Sequence, residues 1–268
     1  MCNRNENSNR KCLTWIPSFH PVCCVLWFTI GFSIFTTSLL AGSMLTERWE
    51  IITFHRETVN GLARSYNLSS SLRWVLDGKV GILRLRNTSF FFVPMNGGVW
   101  TLCSDLDEEE KKVLWKEGWM NADRCVNYLH PDHRLKDEHR TDRVKRLQNL
   151  SISCALVCLI LLGASGVVGG FGILRQGNPA ILITGIMYLL TGGFAVSTLG
   201  MMSVKRLGKF DCGYLDEQVP AAFYDSRLFA LGWSYHLAWF GVALCLSTAL
   251  LWFLLARIAR LTTFSIIT

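Results

Sequence analysis

The side chains with the types and spacing for chemistry form three sets: a histidine–aspartate cluster, ten cysteines and three Asn-x-Ser/Thr triplets. The cluster is His130-Pro131-Asp132-His133, followed by Asp137 and His139, groups that hold zinc when a fold brings them together. Pro131 opposes the helix that would align His130 with His133, and Arg134, Lys136 and Arg140 add positive charge around them. A solvated connector without metal is expected. No Gly-x-Ser-x-Gly elbow, His-Glu-x-x-His helix or phosphate-cradling Gly-Lys-Ser/Thr loop occurs, so neither enzymatic activity nor a cofactor is expected.

The cysteines divide by position. Cys154, Cys158 and Cys245 lie in apolar runs and read as small packing residues. Cys2, Cys12, Cys23 and Cys24 lie at or before the start of the first run, where Cys12, Cys23 and Cys24 are candidates for S-acylation. Cys103 and Cys125 are the only pair in one long polar segment, and in an exported segment they are expected to form a disulfide. Closing a loop of about 22 residues adds roughly 3 kcal/mol on the chain-entropy model. Cys212 is left without a partner.

The elements that must position these groups are four apolar runs, 22–45, 150–174, 180–204 and 228–256, free of Asp, Glu, Lys and Arg. Each exceeds the about 20 residues a helix needs to cross the hydrocarbon layer, and a charge at its centre would cost roughly 2.5–3.5 kcal/mol. The expected fold is an α-helical membrane protein, a four-helix transmembrane bundle. Between the runs lie a long loop, 46–149, a tight joint, 175–179, and a second loop, 205–227; the tails are 1–21 and 257–268. Glycines crowd the second and third runs, including Gly166-x-x-x-Gly170, and small residues let helices approach closely in lipid. Packing within the chain, with the second and third runs as an antiparallel hairpin, is the expectation. His236 is the one ionisable group in the fourth run; with no carboxylate in any run, transport through it is not expected.

Orientation follows from charge and sequons. Arg4, Arg10, Lys11, Arg175, Arg257 and Arg260 favour cytoplasmic tails. Arg140, Arg143, Lys145 and Arg146 oppose this, but long loops translocate largely regardless of charge. The sequons at Asn67 and Asn87 lie in the long loop and place it outside as glycosylation acceptors, whereas Asn149 sits at the membrane edge, beyond reach. The net charge of +7 flanks the spans and serves lipid headgroups, not nucleic acid. The first run exceeds a signal-peptide core and reads as a retained signal-anchor. A multi-pass protein of the plasma membrane with both termini cytoplasmic is expected.

Within the long loop, 49–54, 80–85, 89–93 and 98–103 read as strands, separated by turn material at Asp77-Gly78 and at Pro94-Met95-Asn96-Gly97. Arg84-Leu85-Arg86 alternates as a half-exposed strand would, and 105–119 reads as a short helix with its acidic residues first. A small extracellular antiparallel β-sheet with one helical excursion is expected above the bundle.

Trp49, then Gly98-Val99-Trp100-Thr101-Leu102-Cys103, then Cys125, resembles the W…GLW…C…C signature of the claudin/PMP22/EMP superfamily, which includes the voltage-gated calcium channel gamma subunits. Val99 replaces the usual Leu, and the loop is longer than a typical claudin's. The long loop and Gly232-Trp233-Ser234 look nearer the gamma-subunit and claudin-domain-containing branch. The resemblance implies a non-enzymatic tetraspan, an auxiliary subunit partnering a pore-forming channel subunit. The alternative is a cell–cell junction or barrier component meeting like tetraspans on the same or an adjoining cell; a small membrane enzyme or transporter is remote. Glycans on the long loop would hinder a tight paracellular seal, and Ser265-Ile266-Ile267-Thr268 does not read as a PDZ-binding tail. The missing tail weakens scaffold-anchored versions of both readings, and the glycans favour the channel reading.

Overall fold

The computed structural model describes residues 21–85, 89–118, 125–129, 142–175, 178–207, 222–223 and 226–267. Four long helices dominate: α1 (Pro21–Leu45), α4 (Asp142–Leu174), α5 (Asn178–Leu207) and α6 (Trp233–Ile267). Within them Cys24–Leu45, Arg146–Leu174, Asn178–Leu207 and Trp233–Leu261 are long and apolar enough to cross a bilayer. Away from its ends a helix satisfies its backbone donors and acceptors internally, which hydrocarbon demands.

Helix α4 packs on α5, α5 on α6, and α6 on α1, whereas α1 and α4 meet only sparsely. The core of the bundle mixes small residues such as Ala155, Cys158, Ala238 and Cys245 with larger Leu40, Tyr188 and Leu199. Hydroxyls stitch the helices together: Thr36 to Thr248 at 2.9 Å, Thr37 to Tyr188 at 3.0 Å and Ser203 to Tyr235 at 2.7 Å. The Trp252 indole N–H donates to Ser33 Oγ at 2.9 Å. Such bonds contribute about 0.6 kcal/mol each on average in a membrane bundle.

Between α1 and α4 run β1 (Glu50–Phe54), α2 (Arg56–Ser65), β2 (Leu72–Val75), β3 (Val80–Arg84), β4 (Ser89–Phe92), β5 (Met95–Gly97), β6 (Thr101–Ser104), α3 (Glu108–Lys116) and β7 (Val126–Asn127). Strand β8 (Arg227–Leu231) lies between α5 and α6. They form two antiparallel sheets, one ordered β7-β6-β5-β1-β8 and one ordered β2-β3-β4.

This departs from the expected single sheet in four ways. The segment Met95–Gly97, read as a turn, is strand β5, paired with β1 through Ile52–Met95 and with β6 through Gly97–Leu102. Two elements the sequence reading omitted, α2 and β2, complete the smaller sheet. That sheet is not half exposed: Leu83 and Phe92 face Val59 and Ala63 of α2, while Val80 and Ile82 face Leu114 of α3. The run 228–256, read as one span, divides at Gly232. Leu228, Phe229, Ala230 and Leu231 pair with β1, and the helix starts at Trp233. Composition cannot separate an apolar edge strand from the apolar helix that follows it.

Turn chemistry is local where it was expected. Asp77 and Gly78 adopt φ of 55° and 87° between β2 and β3. Helix α3 starts at a capping box in which the Asp107 N–H donates to Glu110 Oε2 at 3.0 Å.

Candidate functional site at the junction of sheets and bundle

Helix α1 ends at Leu45, so the carbonyls of its last turn lack intrahelical donors. Two indoles supply them. The Trp49 N–H donates to the Ser43 carbonyl at 2.8 Å, and the Trp100 N–H donates to the Met44 carbonyl at 2.7 Å. Trp49 is fully buried and meets the Tyr235 ring edge-on, with centroids 6.2 Å apart. Its backbone N–H donates to Gly97 at 2.9 Å, and its carbonyl accepts from Gly232 at 2.9 Å. One tryptophan thus joins α1, β5 and the start of α6.

Glycine permits that convergence at two points. A Cβ at Gly98 would lie 3.0 Å from the backbone of Thr46 and Glu47, and one at Gly232 would collide with the Arg48 carbonyl. Neither has a positive φ; close backbone approach is the constraint. The Gln148 amide of α4 donates to the Val99 carbonyl at 2.7 Å, pinning the loop between the two signature residues Gly98 and Trp100.

A buried ion pair that the sequence reading did not single out lies in the same junction. Glu50 Oε1 accepts from Lys205 Nζ at 2.9 Å, with side chains only 6% and 11% exposed. Gly97 leaves room for it, since a Cβ there would lie 2.6 Å from the Glu50 carboxylate. Lys205 also stands 5.7 Å from the Tyr128 ring. The pair ties β1 to the sheet end of α5. Its available signal was a carboxylate directly after Trp49 and an ammonium closing the third span.

Cys103 and Cys125 form a disulfide across 22 residues, joining β6 to the lead-in of β7. The Glu47 carboxylate lies 3.1 Å from Cys103 Sγ, and the three groups fall within 4.8 Å of one another. With both sulfurs bridged, neither offers the thiolate that zinc requires. Away from the junction, Lys79 Nζ donates to Glu110 Oε2 at 2.8 Å. Hydrogen bonds from Lys79, and then from the Asp107 N–H, hold the Glu110 carboxyl below its ordinary range. The same carboxylate holds Lys79 above its own.

The other sequence candidates remain dispersed. Asn67 is exposed, in a left-handed turn (φ 56°) after α2. Asn87, Cys12, Cys212 and the cluster of His130, His133, Asp137 and His139 lie outside the described residues. Cys23 lies on α1, and Cys24 is exposed there. His236 is exposed on the first turn of α6, edge-on to Tyr235 at 5.9 Å. Cys154, Cys158 and Cys245 are buried in the bundle.

The glycines divide. Gly169, Gly172 and Gly185 pack against Thr184 and Trp252, Ala180, and Phe253 respectively. Intramolecular packing does not account for Gly166 and Gly170, whose Cβ positions meet nothing within 4 Å. The spacing marked a close-approach surface, yet α1 leans toward α6 instead of covering it.

No significant match was found among curated proteins. The family model for PMP-22/EMP/MP20/Claudin tight junction proteins matches residues 94–254, which include the Gly98–Cys103 motif, Cys125, the second and third spans and most of the fourth. That match covers more than half of the 268 residues. With four apolar helices, an antiparallel sheet sealed to them by two tryptophans and a disulfide beside that seal, the chain belongs to the PMP-22/EMP/MP20/Claudin family.

Proposed function

We propose that this claudin-family tetraspan is a non-enzymatic auxiliary subunit of an ion channel, near the calcium-channel gamma subunits. Its sheets are extracellular and both termini cytoplasmic, at the plasma membrane. The observation that carries the reading is the external cap itself, two sheets with helices on both faces of the smaller one. Asn67 stands exposed on that cap, and Asn87 offers a second sequon. A glycan there would obstruct close membrane apposition but not lateral contact within one bilayer. Exposed apolar faces on all four helices supply the lateral contact surface. S-acylation at Cys12, Cys23 or Cys24 would anchor the opposite leaflet.

The family's description as tight junction proteins favours a second reading, a cell–cell junction component. Purification of the full chain in mild detergent, with identification of co-purifying proteins and current recordings on co-expression, separates the two. A pore-forming partner whose gating or surface expression changes supports the first. Recovery of the chain alone, concentrated at cell borders, overturns it in favour of the second.

A further inference from the structure

Because α1 leans on α6 while α4 leans on α5, a cleft of about 460 Å³ opens between α1 and α4. Gly166 and Gly170 line one wall, Ile30 and Ile34 the other, and Trp252 and Tyr188 also line it. Three hydroxyls around it are already engaged, Thr37 with Tyr188, Ser33 with Trp252, and Ser165 with the Leu162 carbonyl at 2.8 Å, and Ser38 also lines it. What it offers an occupant is therefore mainly apolar surface. It reaches Leu174, and the next residue, Arg175, holds its guanidinium 5.2 Å from the Phe171 ring. Arg257 and Arg260 lie near the C-terminal end of α6, at the same end of the bundle. No Asp or Glu occurs in 143–210 or 226–268, and none in 21–45, so no carboxylate of any span offsets these cations. An apolar cleft whose end at Leu174 adjoins Arg175, with no carboxylate in the spans, complements one kind of molecule, an apolar chain with an anionic head.

We infer that the cleft between α1 and α4 binds an anionic glycerophospholipid, one acyl chain lying along Gly166 and Gly170 and the phosphate pairing with Arg175. The site is independent of whether the chain serves a channel or a junction. A neighbouring transmembrane helix is the rival occupant; it would use the glycines but has no need of Arg175.

Native mass spectrometry of the full chain in detergent tests this, titrated with phosphatidylserine and with phosphatidylcholine of identical acyl chains. One copy of phosphatidylserine is expected to bind roughly fivefold more tightly, the preference one basic residue provides near a headgroup. Arg175→Ala should erase that preference, and being exposed at a helix end it leaves the core intact. Gly170→Leu should fill the cleft and remove the bound copy of either lipid. Gly163→Leu, equally open but outside the cleft, should leave binding unchanged. Thermal unfolding and the intact disulfide report whether each variant folds; if Gly170→Leu does not, Gly166→Leu and Arg175→Ala carry the test. Equal binding of the two lipids, or a preference that survives Arg175→Ala, overturns the proposal. So does a dimer that Gly170→Leu dissociates while lipid binding persists.

Discussion

Trp49 and Trp100 serve the end of α1 as donors as well as apolar bulk. Trp100→Phe keeps most of the ring but orphans the Met44 carbonyl, which should cost about 1–3 kcal/mol and appear as a lower unfolding temperature in detergent. Glu50 and Lys205 make a sharper case. Removing one partner of a buried pair strands a charge at a cost of about 3–5 kcal/mol. Lys205→Met should therefore destabilise strongly, and adding Glu50→Gln should restore much of the loss. If the double variant is no more stable than Lys205→Met, the charges are not coupled through this contact. The tryptophans and Gly98 were legible because motif spacing marks them. Glu50 and Lys205 stand 155 positions apart, and only the fold brings them together.

Element-scale behaviour is clearest in α3. Glu110 has a depressed pKa, so its contribution is complete above its unfolded value and is lost as pH falls below about 4. Lys79 has a raised one, so its contribution is complete below its unfolded value and is lost only as pH climbs beyond about 10. Between these limits the Lys79–Glu110 tie holds α3 against β3. Amide exchange in α3, corrected for intrinsic rates, should quicken on the acid side in the native chain, and Glu110→Gln should flatten that response. The effect will be small, since both groups are partly exposed and such pairs contribute at most about 1 kcal/mol. Helix α3 was readable because acidic residues at its start suit a helix N-terminus; the capping box itself is visible only in the structure. Helix α2 was missed although Val59, Leu62 and Ala63 stand at i, i+3 and i+4 and pack into one core; three apolar positions in ten residues make a short signal beside the long apolar runs.

For the whole molecule, the disulfide and the sidedness of the cap are the tests. Replacing Cys103 and Cys125 together with Ser should destabilise the cap by roughly 3 kcal/mol, seen as earlier unfolding without loss of the four spans. Asn67→Gln should remove a glycosidase-sensitive mobility shift if the cap is exported. A chain that carries no such shift at Asn67, and whose cap is cleaved only by protease added to the cytosolic face, would reverse the orientation.

The sequence alone determined that four helices cross a bilayer, because hydrocarbon imposes length and apolarity on each span separately. It also marked the signature tryptophans, and it made the disulfide an expectation through the only two cysteines of one segment. Tertiary structure decided where the fourth span begins, since Leu228 to Leu231 become strand only when β1 lies alongside to bond them. It decided that two sheets form instead of one, that Glu50 meets Lys205, and that Gly166 and Gly170 face a cleft. Each of these depends on which distant surface arrives opposite, a pairing that no local run of residues encodes.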